Sequence, residues 1–304
     1  MLRTARTTAT WLVVALVIGS SAASAQPRHQ NGFPVTLTSA NGKLTLAAKP
    51  SRIISLSPTA TESLFAIGAG KQVIAVDDQS NYPASAPKSK LSGYTPNAEA
   101  IAAYKPDLVV LQYDANKIVE ALAKLKIPVL MQNTATSLTD AYGQITVLGV
   151  ATGNTARASS LVTKMKTQIA TLVKSVPHRA TPLTVYEEIE PDLYAPTSKT
   201  FIGSIYTLLG LKNIADAADK THTGFPQLSA EYIVAADPDL IVLADTKCCG
   251  QNATKVQARS GWGTITAVKN GTIVAIDDDV ASRWGPRVID FVREVVAWVK
   301  KAQA

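Results

Sequence analysis

One fourteen-residue stretch occurs twice in this chain, and the duplication limits its fold more than any other feature. Residues 98–111 read AEAIAAYKPDLVVL and residues 230–243 read AEYIVAADPDLIVL, identical at nine of fourteen positions without a gap. In each copy a short helical pattern passes through a Pro-Asp turn into an unbroken apolar run, the pattern of a strand covered on both faces of a parallel sheet. Between the copies, Ala158, Leu161, Val162, Met165, Ile169, Leu172, Val173 and Val176 recur at the spacing of an amphipathic helix over residues 154–176. Asn154 is a favourable N-cap, and Pro177 ends the run because the residue before a proline is driven out of the helical region. At 1.5 Å per residue such a helix reaches roughly 34 Å, the width of a small domain. The expectation is an α/β protein of two similar lobes with mainly parallel sheets, joined by one long helix, with the ligand cleft between them.

The first 25 residues read as an export signal. Arg3 and Arg6 form a basic start, residues 11–18 an apolar core, and Ala23-Ser24-Ala25 a cleavage site before Gln26. The apolar run is too short to span a bilayer and no second candidate follows, so a periplasmic or secreted protein without a membrane span is expected after cleavage near Ala25–Gln26. Gln26 stands where a lipobox would place a cysteine. The expected divisions are signal 1–25, first lobe 26–153, linking helix 154–176 and second lobe 177–304, and a monomer is expected. Loss of Arg3 and Arg6 lowers the formal charge from +7 to +5. The remaining cations are scattered, without the basic block or stripe of a nucleic-acid binder.

The apolar runs predict a hairpin in residues 32–50 around Asn41-Gly42, then strands at 52–56, 73–76, 108–111 and 129–131 and a helix at 118–125. Ser57 or Thr59 is expected to cap the helix that carries Glu62. The second lobe should hold strands at 183–186, 240–243 and 273–276, a helix at 201–209 and a closing helix at 286–301. Between these lie loops rich in aromatic and charged residues: 77–83, 92–96, 187–194, 222–227 and 277–287. In open α/β sheets ligands sit beyond the strand ends.

Much chemistry is missing. No GxGxxG follows a strand and no P-loop is present. The S-x-x-K at Ser85–Lys88 contains a proline and has no K-T-G to accompany it. His29, His178 and His222 are the only histidines and no HExxH occurs, so neither a metal site nor a resident cofactor is expected. A carboxylate-dependent hydrolase would have to be built from Glu187, Glu188 and Glu190. The adjacent Cys248 and Cys249 cannot staple distant segments; they leave open a vicinal disulfide, an intermolecular bridge, a soft-metal contact or a loop with no ligand role. What remains is binding. Tyr82, Tyr94, Tyr194, Phe225 and Trp284 offer flat apolar surface, while Asp279, Arg283 and Arg287 offer polar anchors.

The segments RIISLSPTATESLFAIGAG, NYP, AIAAYKPDLVVL, FPQLSAEYIVAADPDLIVL and DDDVASRWGPR resemble the solute-binding proteins of ABC importers for vitamin B12 and ferric siderophores. The resemblance covers nearly all of the chain from about Pro50 and leans toward the vitamin B12 side of that group. It implies two Rossmann-like lobes on a rigid helix, no enzymatic activity, and delivery of a corrinoid to a permease dimer. It also implies that the glutamates of the SPxxTE and LSxE motifs, Glu62 and Glu231, stay exposed and pair with permease arginines. Strict internal repetition would instead pair Glu231 with Glu99. For the ligand, the resemblance implies Tyr94, Tyr194 and Phe225 as aromatic walls, Gln79 at a further wall position, and Asp279 and Arg283 as polar contacts, with Trp284 and Arg287 beside them. A ferric siderophore held by Arg283, Arg287 and the tyrosines is the alternative. Haem, with Tyr94 or His222 presented to iron, is a third reading; outside this class stand the hydrolase and an extracellular adhesion module.

Overall fold

A computed structural model describes residues 32–302. It opens with an antiparallel hairpin, β1 (Val35–Ser39) and β2 (Gly42–Leu46), in register Val35 to Leu46 and Ser39 to Gly42, so the two-residue loop is Ala40-Asn41. The first lobe follows as β3 (Ile53–Leu56), α1 (Pro58–Ala66), β4 (Val73–Val76), α2 (Ala98–Ala103), β5 (Leu108–Leu111), α3 (Ile118–Lys124), β6 (Val129–Met131) and α4 (Leu138–Ala151). After α5 (Thr155–Lys174), the second lobe comprises β7 (Thr184–Glu188), α6 (Phe201–Leu208), β8 (Lys212–Asn213), α7 (Ala230–Ala236), β9 (Leu240–Leu243), α8 (Thr246–Cys249), α9 (Ala253–Gln257), α10 (Thr266–Lys269), β10 (Ile273–Ala275), α11 (Asp278–Ser282) and α12 (Val288–Lys301).

Each lobe is one four-stranded parallel sheet, ordered β4-β3-β5-β6 in the first and β8-β7-β9-β10 in the second. The two orders superpose when β5 is matched to β9, so the duplicated stretch marks the same strand of the same small fold. The Pro-Asp turn shows why the motif recurs. Asp107 accepts from the Ser51 and Arg52 amides (2.8 and 2.9 Å), and Asp239 accepts from the Thr184 amide (2.8 Å), each aspartate tying the start of its strand to the start of its neighbour. The four residues of β5 and of β9 are all buried, as strands covered on both faces must be.

Helix α5 is the shared spine. Its buried stripe is Ala158, Val162, Met165 and Ile169, within the spacing expected, and it lies between α4 and α12. Asn154 does not cap it with a side-chain oxygen; its amide donates to Gln72 Oε1 and to Thr152 instead, and the helix runs from 155 to 174. One apolar cluster joins Leu64, Ile145 and Leu148 of the first lobe, the α5 stripe, Val185 and Ile205 of the second, and Val288, Val292 and Val295 of α12. The lobes therefore share a core rather than hanging from a loop. Among the described residues no helix is long and apolar enough to cross a membrane. The expected signal segment, its Ala25–Gln26 cleavage site and the residue after it lie outside the described residues.

Candidate functional site

The carboxyl ends of both sheets face one cleft. Leu56 ends β3, Asp77 follows β4, Gln112 and Tyr113 follow β5, and Thr134 to Thr136 follow β6; Glu187 is one of the last two residues of β7, Ile189 follows that strand, and Ala244 follows β9. This is where a ligand site belongs in such sheets. The main cavity, about 660 Å³, is lined by Tyr113, Thr134 to Thr136, Ile189, Phe201, Phe225, Ala281 and Trp284 among others. A side pocket of about 220 Å³ opens on the first-lobe side between Leu56, Asp77, Gly93, Tyr94, Gln112, Asp279 and Arg283. The two share Tyr113, Ser282 and Trp284. Tyr94 and Tyr113 stack with ring centroids 6.5 Å apart and 21° between planes, and both stand exposed, Tyr94 at 69% and Tyr113 at 46%. Phe225 is 43% exposed. Bare aromatic surface of this size, gathered at one mouth, is what a flat apolar ligand covers.

Charges around the cleft are mostly spent on one another. Glu62, 2% exposed on α1, receives Arg283 Nη1 at 3.0 Å and Arg287 Nη2 at 2.6 Å on Oε1, and Arg287 Nε at 3.0 Å on Oε2. Arg283 also donates to the Gln79 carbonyl, to Asn81 Oδ1 and to Asp279, the last at 2.5 Å. Asn81 Nδ2 reaches Asp279 at 2.8 Å, and Lys247 bridges Asp277 and Asp279. Burial pushes the Asp279 carboxyl up, but Lys247, Asn81 and Arg283 together reverse this and leave it below the ordinary range. Hydrogen bonds to the Glu62 carboxylate raise the pKa of the Arg287 guanidinium, whose face lies 4.4 Å over the Tyr82 ring. Since α1 belongs to the first lobe and residues 279–287 follow the second sheet, this network clasps the lobes together.

The structure thus redistributes the expected site. Gln79, Tyr94, Phe225, Asp279, Arg283 and Trp284 line the cleft, Trp284 by an edge only because its Nε1 donates to Gln144 and the residue is buried. Tyr194 and Arg287 do not. Tyr194 is half-buried in backbone bridges with Glu190 and Gln227, and Arg287 turns to Glu62 and Tyr82. Tyr113 and Gln112 were missed by sequence reasoning, although their place just beyond β5 satisfied the strand-end rule used for the other loops. Lys199 and His222 also line the main cavity. Cys248 and Cys249 form a vicinal disulfide, and Cys248 contributes to the same wall.

The expected exposure of Glu62 is overturned: a carboxylate held by two guanidinia inside the molecule is not offered to a partner. The position that internal repetition pairs with Glu231 behaves as Glu62 was expected to. Glu99 and Glu231 are both exposed, each in the first turn of a short helix, α2 or α7, capped by Asn97 Oδ1 and Ser229 Oγ respectively. They occupy equivalent places in the two lobes.

The hydrolase alternative fails on geometry. Glu187 and Glu188 are neighbours on β7 and point to opposite faces. Glu187 Oε2 accepts from Tyr206 Oη, and burial pushes its pKa up to about 8 despite that bond. Glu188 is engaged by Arg259 at 2.5 and 2.6 Å and by Tyr186 Oη, while Glu190 is exposed on the loop beyond. No two of these carboxylates share a substrate position.

Comparison with known proteins agrees with the two-lobed α/β fold. A family model described as periplasmic binding protein matches residues 53–280. An uncharacterized ABC transporter substrate-binding lipoprotein, YvrC of Bacillus subtilis, is 34% identical over 277 residues, 86% of this chain and 84% of its own. A cobalamin-binding protein of Halobacterium salinarum is 30% identical over 303 residues, 93% of this chain and 81% of its own. The crystal structure of a possible iron-binding, periplasmic solute-binding protein of Staphylococcus epidermidis superposes with a TM-score of 0.72 at 27% identity, covering 83% of this chain and 99% of that one.

Proposed function

The chain belongs to the periplasmic binding protein family, a class of solute binders and not of enzymes, and from that premise we propose that it captures a corrinoid and delivers it to an ABC importer. The observation that carries the ligand assignment is the cleft: a 660 Å³ cavity with the stacked Tyr94 and Tyr113 and the exposed Phe225 at its mouth. A broad apolar macrocycle fills such a space and covers those rings. The likeness to the Halobacterium cobalamin-binding protein supports the same reading. A ferric siderophore is the second reading, favoured by the likeness to the Staphylococcus protein described as possibly iron-binding. Against it stands the engagement of Arg283 and Arg287 by Glu62, which leaves no free guanidinium among the cleft-lining residues for an anionic chelate.

Docking is assigned to Glu99 and Glu231. Each lobe presents one exposed carboxylate at the start of an equivalent helix, outside the ion pairs of the fold and placed to meet a permease arginine. The protein acts outside the cytoplasmic membrane, as a monomer. The deciding experiment is titration of the protein with cyanocobalamin, a ferric hydroxamate and haemin, followed by tryptophan fluorescence and ligand absorbance. Stoichiometric saturation by cyanocobalamin, tighter than by the other two, is expected; saturation by the ferric chelate or haemin alone overturns the corrinoid assignment.

A further inference from the structure

The side pocket holds a group that the clasp does not use. Asp77 follows β4 and is 4% exposed, and its Oδ1 is buried with no hydrogen-bond partner. The other charges lining that pocket are Asp279 and Arg283, and they are paired to each other; Asp279 is committed further to Asn81 and Lys247, and Arg283 to Glu62, Asn81 and the Gln79 carbonyl. The one charged group lining the pocket without an ion-pair partner is therefore a carboxylate, an acceptor. Residue 93 keeps the space over the other carboxylate oxygen open: a Cβ on Gly93 would lie 2.9 Å from Asp77 Oδ2 and 2.8 Å from the Leu56 carbonyl, so Oδ2 is the oxygen turned to the pocket. Burial raises the Asp77 pKa, and the Ser80 hydroxyl with the Ser80 and Gln79 amides draws it back. A ligand N–H that reaches Oδ2 gives this buried carboxylate a donor it otherwise lacks from any cation, whereas a ligand carboxylate adds repulsion.

We propose that Asp77 is the specificity-determining acceptor of a side-pocket subsite that takes a neutral N–H donor arm of the ligand, a primary amide, and turns away carboxylate arms. The inference rests on the corrinoid reading and deepens it. A corrinoid ring carries primary amides on its rim, while haem carries carboxylates there. With the macrocycle lying in the main cavity against Tyr113 and Trp284, one peripheral amide has only to turn past those shared residues to enter the 220 Å³ pocket.

The test uses the full protein with three probes: cyanocobalamin, its monocarboxylic acids made by hydrolysing one rim amide, and haemin. Wild type is expected to bind cyanocobalamin at least about tenfold more tightly than the acid isomer whose lost amide is the one in the pocket, the scale of replacing a charge-assisted hydrogen bond by a like-charge contact. Asp77→Asn is expected to weaken cyanocobalamin binding by about tenfold and to erase most of the preference over that acid. The wild-type comparison of amide with acid needs no variant, so the outcome stands even if Asp77→Asn folds poorly. Equal binding of cyanocobalamin and every acid isomer by wild type, or an unaltered preference in folded Asp77→Asn, overturns the role of Asp77 and leaves the corrinoid assignment standing. Tight binding of haemin with none of cyanocobalamin overturns both.

Discussion

Glu62 separates two accounts of this protein most sharply, because one makes it a surface contact and the other an internal clasp. In the structure its carboxylate makes three contacts of 2.6 to 3.0 Å with two guanidinia, and its side chain is 1% exposed. Glu62→Ala leaves Arg283 with Asp279, Asn81 and the Gln79 carbonyl, but Arg287 keeps only its stacking on Tyr82. Breaking a buried pair by removing one partner costs about 3–5 kcal/mol, since the remaining charge is left uncompensated. At about 2–4 °C per kcal/mol for a chain of this size, the unfolding midpoint should fall by roughly 6–20 °C. Glu62→Gln keeps the shape and one acceptor oxygen and should lose about half as much. Thermal unfolding followed by circular dichroism reads both variants, with scattering at room temperature reporting whether the lobes spread. If Glu62→Ala melts within 2 °C of wild type (about 0.5–1 kcal/mol), the clasp contributes nothing and the reasoning is wrong.

The exposed pair should behave in the opposite way. Glu99→Lys combined with Glu231→Lys is expected to leave the melting temperature and ligand affinity near wild type while transport into cells or proteoliposomes is lost, since like charges across an interface cost several kcal/mol; uptake at the wild-type rate would remove docking from these two residues. Tyr94→Ala, Tyr113→Ala and Phe225→Ala should each weaken cyanocobalamin binding by about 1–3 kcal/mol, with the two stacked tyrosines non-additive in a double-mutant cycle; unchanged Kd in all three by fluorescence titration would put the ligand elsewhere. The Glu187 carboxyl, pushed by burial from 4.5 to about 8, holds a proton in the folded state that the unfolded chain has already released between those pH values. Stability from this group therefore falls as pH rises from 4.5 to 8, and Glu187→Gln should lose less of its melting temperature between pH 5 and pH 8 than wild type does; parallel pH profiles would refute the assignment.

Local sequence determined most of the architecture. Apolar, β-branched runs four residues long between turn residues are too short for helices and fit buried strands, and the copies at 98–111 and 230–243 led to the same helix, Pro-Asp turn and strand in both halves. The linking helix was legible for the same reason, since Ala158, Val162, Met165 and Ile169 fall on one stripe whatever they pack against. The strand-end rule placed Tyr94, Phe225 and the 277–287 loop near a cleft, and applied to the end of β5 it would also have placed Tyr113. What the sequence left undecided was which charges remain available. Glu62 and Glu99 both begin as carboxylates on short helices of the first lobe. One is silenced by Arg283 and Arg287, more than two hundred residues away, and the other meets no such partner and stays in solvent. Ion pairing across that separation depends on how the closing helix returns over α5 to the first lobe, a consequence of the whole packing and not of any local pattern. The same packing leaves Asp77 Oδ1 buried without a donor.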